Sequence, residues 1–183
     1  MSDNEVSPVE ETHDPGADTA LQGAVVVGVI PGQTPRVVKE AARYAHLLHA
    51  PLVVAHVDVT RFVTYEDPDG FVQTAPVDIH IDAGAEELAA VTAAAEAALS
   101  GKDVAWSVKQ LVGDPALAIK HFADRVDARL LVVGTRKRGF GESVREFFTG
   151  SVAARLSHRQ HRPILVVPVS EPLADDEDWP VEA

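Results

Sequence analysis

"AVVVGVIPGQTPRVVKEAARYAHLLHAPLVVAHVDV", Ala24 to Val59, changes its hydrophobic period twice, and those changes decide the fold. Ala24–Ile30 is a continuous apolar, mostly β-branched run of strand length, the pattern of a strand buried on both faces. "PGQT" breaks the run. Val37, Val38, Ala41, Ala42, Ala45 and Leu48 then recur at helical spacing, with Thr34 placed to cap the helix and Pro35 in its first turn. Ala50–Val59 returns to strand character. A strand, a helix and a second strand of this kind form a unit with parallel strands and a right-handed crossover.

The alternation continues toward the C-terminus. Ala83–Leu99, rich in Ala and Glu, predicts a second helix, and Val104–Val112 a third strand. Asp114 and Pro115 supply an N-cap and a first-turn proline for a third helix reaching about Val126. Ala128–Gly134 is another buried strand. A fourth helix is expected from near Gly150 into "HRQHRP", where Pro163 stops it, and Pro163–Val169 is the last strand. Thr60–Asp82, with Pro68, Gly70 and Pro76, is read as an irregular connection long enough to be a lid. These elements predict one open, five-stranded parallel α/β sheet with helices on both faces. Ligands of such sheets bind outside the carboxyl ends of the strands, where the winding reverses. If the first and fourth strands are neighbours there, the loops after Ile30 and Gly134 share that crevice.

A length of 183 residues, 46% hydrophobic content and no cysteine suit one reduced domain without disulfides or thiolate metal sites. The first residues carry neither a basic segment nor an apolar core, and no run approaches membrane-spanning length, so the expected location is the cytoplasm. The net charge of −12 lies at the ends: residues 1–22 and 171–183 each hold six carboxylates and no Lys or Arg. The remaining 16 acids and 16 bases balance. The expected organisation is therefore a folded domain over residues 23–169 between disordered acidic tails, 1–22 and 170–183. Within the domain, Lys120–Arg162 carries ten bases against four acids, which makes that half the place for an anion.

"GTRKRGFGESVREFFTGSVA", Gly134 to Ala153, lies in that half. The amides of Gly150, Ser151 and Val152 at a helix start are donors suited to phosphate, and the glycines permit close approach. Arg136, Lys137 and Arg138 can add charge-assisted bonds. The same residues also suit plain turns, an ordinary N-cap and a solvated basic face.

Taken together, "VVVGVI", "VVAHV", "LVGDPALAI", "LLVVGTR", "GSVAARL" and "RPILVVP" resemble a universal stress protein domain over Gly23–Val169. The resemblance implies strand order 3-2-1-4-5 and a homodimer through the last strand, Pro163–Val169. It also implies adenine nucleotide as ligand, with ATP as cofactor and Mg2+ only as the nucleotide's counter-ion. Nucleotide-binding members carry Gly-x2-Gly-x9-Gly-Ser/Thr over the phosphates and an Asp after the first strand. Here Gly134 matches the first glycine, and Gly150 with Ser151 the closing pair, but the loop is three residues longer. Lys137 stands at the second glycine's place, with Gly139 nearby; Ile30, Pro31 and Gly32 stand where the Asp is expected. Carried over by position, the binding residues are Ile30, Pro31, Gly32, Val57, Gly134, Thr135, Arg136, Lys137, Gly139, Gly150, Ser151 and Val152. Val57 would present backbone groups to the adenine. With no carboxylate beside base or ribose, recognition is expected to lean on the phosphate end.

Other patterns carry less. His56 reads as a strand histidine, and the His46/His49 and His158/His161 pairs have no third ligand in sight. No catalytic residues are assigned: there is no Gly-x-Ser-x-Gly elbow and no Walker lysine. The basic cluster lacks the interleaved aromatics of a nucleic-acid surface apart from Phe140, Phe147 and Phe148, which suit burial of the loop. Three functions remain open: a nucleotide-binding stress regulator, a nucleotide-free dimeric interaction module, and a weak ATP hydrolase.

Overall fold

Val25–Val29 forms β1, the middle strand of a sheet, and its side chains divide by parity between two cores. Val25, Val27 and Val29 enter one cluster, whereas Val26, preceded by Ala24, enters the other. A continuous apolar run is what a strand covered on both faces requires. The computed structural model describes residues 18–33, 35–66, 72–76, 83–135 and 152–169. In chain order its further elements are α1 (Arg36–Leu47), β2 (Leu52–Asp58), β3 (Arg61–Glu66), β4 (Val72–Pro76), α2 (Ala83–Leu99), β5 (Trp106–Val112), α3 (Pro115–Arg125), β6 (Leu130–Gly134), α4 (Val152–Ser157) and β7 (Ile164–Val167).

The main sheet runs β5-β2-β1-β6-β7 with every neighbouring pair parallel. Counted among its own strands, that is the order 3-2-1-4-5. The sense of winding reverses at β1, so the carboxyl ends of β1 and β6 open into one crevice. α1 and α2 cover one face: Val37, Val38, Ala41, Ala42 and Ala45 of α1 join Val91, Ala95, Ala98 and Leu99 of α2 in the first core. α3 and α4 cover the other through Ala116, Ile119, Phe122, Ala123 and Leu156. Neither face could be left bare without exposing several valines, each stabilising by roughly 1.5–3 kcal/mol when fully buried.

The structure corrects several boundaries. Strand pairing begins after Ala24, Ala50 and Ala128, which are buried but lie ahead of the ladder; burial extends apolar runs past the hydrogen-bonded strand. Thr34, the expected cap of α1, lies outside the described residues; Pro35 occupies the cap position and makes no side-chain capping bond. α4 starts at Val152 and stops at Ser157, before "HRQHRP", where the Ser157 hydroxyl donates to the Ala154 carbonyl at 2.7 Å. The packed region also starts ahead of Gly23, because Asp18 pairs with Arg125 at 3.3 Å and Leu21 packs on the second core.

The largest correction falls in Thr60–Asp82. That segment is not an irregular connection: β3 and β4 pair antiparallel, Arg61 opposite Pro76 and Glu66 opposite Val72, with a register shift between Val63 and Tyr65. "RFVTYE" and "VQTAP" are β-branched and aromatic runs on either side of "DPDG", a sequence with turn chemistry. Pro76 sits at the strand end, where a missing N–H costs little.

Candidate functional site

A cavity of about 500 Å³ lies where the winding reverses. Its floor is the end of β1, with Gly28 and Val29, and the loop residues Ile30, Pro31 and Gln33 beyond it. Gly28 packs closely there, and a Cβ on it would lie 2.8 Å from Ile119 Cδ1 and displace that side-chain end. Val57 and Val59 bound the cavity on the β2 flank; Gly134, Thr135 and Val152 bound it on the β6 flank. Ile30 is 67% exposed and Val59 60%, so the mouth is apolar.

Six residues assigned from sequence, Ile30, Pro31, Val57, Gly134, Thr135 and Val152, meet in this cavity. Gly32 does not line it; it turns the loop with φ +69°, a conformation glycine adopts without cost. Arg136, Lys137, Gly139, Gly150 and Ser151 lie outside the described residues.

Several residues of the site were not legible. Gln33 folds back so that its carbonyl oxygen accepts from the Ile30 amide at 3.3 Å. Its Nε2 lies where a Cβ on Gly134 would come within 2.2 Å, so this side chain bridges the ends of β1 and β6. On the β2 flank His56 is 1% exposed, and its Nε2 stands 3.1 Å from Glu87 Oε2 of α2. Nδ1 of the same ring lies 3.4 Å from the Val29 carbonyl, so the imidazole is held between β1 and α2. His56 and Glu87 both line the cavity. No carboxylate follows β1, where Ile30 stands, but one arrives at the cavity from α2, far along the chain. Nothing in an Ala- and Glu-rich helix sequence distinguishes Glu87 from Glu86 or Glu96.

The β6 flank is braced by charge. Asp114 caps α3 by accepting from the Leu117 amide at 3.0 Å and receives both guanidinium nitrogens of Arg155, at 2.6 and 2.8 Å. The fork geometry suits a carboxylate and fixes α4 against the start of α3. That hydrogen bond to Arg155 chiefly, then the Leu117 amide and the cation's field, holds Asp114 below the usual carboxylate range against the opposing effect of burial. Among the described residues of this half, most of the bases are engaged in holding the fold. Lys120, Arg125, Arg155 and Arg162 are all in ion pairs, and Arg129 donates to the Leu48 carbonyl at 3.0 Å. Thr135 is used similarly, its hydroxyl oxygen accepting from the Val169 amide at 3.0 Å. Among the described residues no three His, Cys, Asp or Glu side chains are grouped to hold a metal ion, and no helix is long and apolar enough to cross a membrane.

An open parallel sheet of this order, with a cavity at its switch point, defines an α/β ligand-binding domain. The chain belongs to the universal stress protein family, whose sequence model matches residues 23–168. No curated protein matches it. Among solved structures, a universal stress protein in complex with cAMP is 25% identical with a TM-score of 0.55, over 82% of this chain and 99% of that one. A universal stress protein from Archaeoglobus fulgidus is 24% identical with a TM-score of 0.59, over 79% and 97%. One from the same organism in complex with dAMP is 23% identical with a TM-score of 0.52, over 80% and 98%.

Proposed function

We propose that the chain is a nucleotide-binding stress-response regulator that takes an adenine nucleotide, ATP included, in the crevice at the ends of β1, β2 and β6. The observation that carries this reading is the cavity itself, which joins Val57 on one flank with Gly134, Thr135 and Val152 on the other across β1. Gly28 and Gly134, without side chains of their own, let Ile119 and Gln33 pack close to the backbone at the cavity's floor and β6 flank. Similarity to a universal stress protein in complex with cAMP supports the ligand class. Placed by the resemblance, the base lies toward Val57 and the phosphates toward Gly134, Thr135, Val152 and the loop carrying Arg136, Lys137, Gly139, Gly150 and Ser151. Any Mg2+ would enter as the nucleotide's counter-ion. Calorimetric titration of the full chain with ATP, ADP, AMP and cyclic AMP tests this, and saturable binding of at least one is the expected outcome. No heat from any of the four would end the reading.

The same reading includes a homodimer formed through Pro163–Val169. β7 pairs with β6 alone among the described strands, and Val166 on it is 43% exposed. An apolar edge of this kind invites pairing with a second strand. Light scattering at micromolar protein should give twice the chain mass, and Val166→Lys should give the monomer.

A further inference from the structure

The His56–Glu87 contact leaves one carboxylate oxygen over, and its place in the cavity gives that oxygen something to recognise. Glu87 Oε2 is held by His56 Nε2 at 3.1 Å. His56 is buried on β2, so the imidazole is a fixed support. Oε1 has no hydrogen-bond partner among the described residues, and the Glu87 side chain is 42% exposed on the cavity wall. A fixed acceptor facing a cavity selects ligands that bring a donor to it. Its negative charge also repels phosphate from this end.

We infer that Glu87, positioned by His56, is the ribose-recognising residue of the crevice, accepting a hydrogen bond from a 2′- or 3′-hydroxyl of the bound nucleotide. The inference rests on the nucleotide-binding reading above and deepens it. Glu87 lies on the β2 flank beside Val57, away from Gly134 and Val152 across β1, so a nucleotide with its phosphate toward β6 brings its sugar and base toward this carboxylate. Phosphate at one end and hydroxyls at the other then fix the orientation of the ligand.

The test is calorimetric titration of the full chain and of Glu87→Ala with AMP, 2′-deoxy-AMP and 3′-deoxy-AMP. A hydroxyl donated to a charged acceptor in a partly exposed site is worth about tenfold in affinity. The unaltered protein should prefer AMP over at least one deoxy analogue by about that factor, and Glu87→Ala should lose the preference by weakening AMP alone. His56→Leu, which removes the support and leaves the carboxylate, should shrink the same ratio. Melting temperatures exclude unfolding as the cause; Glu87 is exposed enough that its removal spares the fold. Equal affinities for all three ligands in the unaltered protein would overturn the inference while leaving the crevice as the nucleotide site. A ratio that survives Glu87→Ala would do the same. If the unaltered protein binds none of the three, nor ATP, both readings fall together.

Discussion

The two flanks of the crevice use polar groups in opposite ways. Among the described residues of the β6 flank the polar atoms serve the protein itself: Asp114 takes the Leu117 amide and both nitrogens of Arg155, and Thr135 takes the Val169 amide. On the β2 flank His56 holds one oxygen of Glu87, a residue that lines the cavity. The first arrangement builds a rigid wall, because charge-assisted, bidentate contacts tie two helix starts and a strand end together. The second presents a chemical choice, because a fixed acceptor discriminates among ligands by what they donate. A wall and a selector are both needed for a specific site, and here they stand on opposite sides of β1.

Removing support from one flank should give the largest effect. Phe122 of α3 is 1% exposed in the second core, and Phe122→Ala should cost about 3–5 kcal/mol in urea unfolding. The damage belongs to the β6 flank, since α3 carries Asp114's cap. Next comes the floor common to both flanks. Gly28→Val places carbon within 2.8 Å of Ile119 Cδ1, an overpacking cost of about 1–3 kcal/mol, and it also fills the cavity. Nucleotide affinity should drop at least tenfold, the scale of about 1.4 kcal/mol, with the His56–Glu87 and Asp114–Arg155 contacts both in place. Affinity unchanged in a folded Gly28→Val protein would show that the ligand does not lie over β1.

Breaking the brace alone is a smaller step. Asp114→Ala removes the cap of α3, a loss of about 0.5–2 kcal/mol. A double-mutant cycle with Arg155→Ala should show positive coupling between the two, and additive losses would mean that the fork contributes nothing. Acid should produce the smallest effect, and its sign is fixed. Asp114 in the folded state titrates below its ordinary value near 3.8, with the Arg155 hydrogen bond as the main cause. Asp124 is lowered too: burial pulls it up, but Lys120 and Arg162 together outweigh burial. A depressed folded pKa contributes stability that is present above the unfolded pKa and is lost as pH falls through the folded one. The urea midpoint should therefore fall below about pH 4, and more shallowly in Asp114→Asn than in the unaltered protein. Equal acid sensitivity in the two would assign the loss to other carboxylates.

The hairpin of β3 and β4 shows how local signals can be outweighed by punctuation. Pro68, Gly70 and Pro76 suggest an irregular connection, yet Arg61–Glu66 and Val72–Pro76 pair. Pro76 closes β4 at its end, where a missing N–H does not interrupt the ladder, and Pro68 and Gly70 lie outside the described residues. The basic half of the domain teaches the reverse lesson. Ten bases in sequence look like a site for an anion, whereas Arg155 and Arg162 are engaged with Asp114, Asp124 and Asp127. Net charge along a segment counts side chains without saying which already have partners.

By itself the sequence determined the alternation of strands and helices, the two-sided burial of β1, the Asp114 cap and the family. Those features rest on hydrophobic period and on contacts within a few residues, both of which are written locally in the chain. Tertiary structure alone decided that Glu87 stands against His56, 31 positions away, and that Arg155 closes on Asp114, 41 positions away. The reason is geometric: a carboxylate on an exposed helix satisfies the amphipathic pattern equally well as Glu86, Glu87 or Glu96. Only the packing of α2 against β2 selects the one that reaches the crevice.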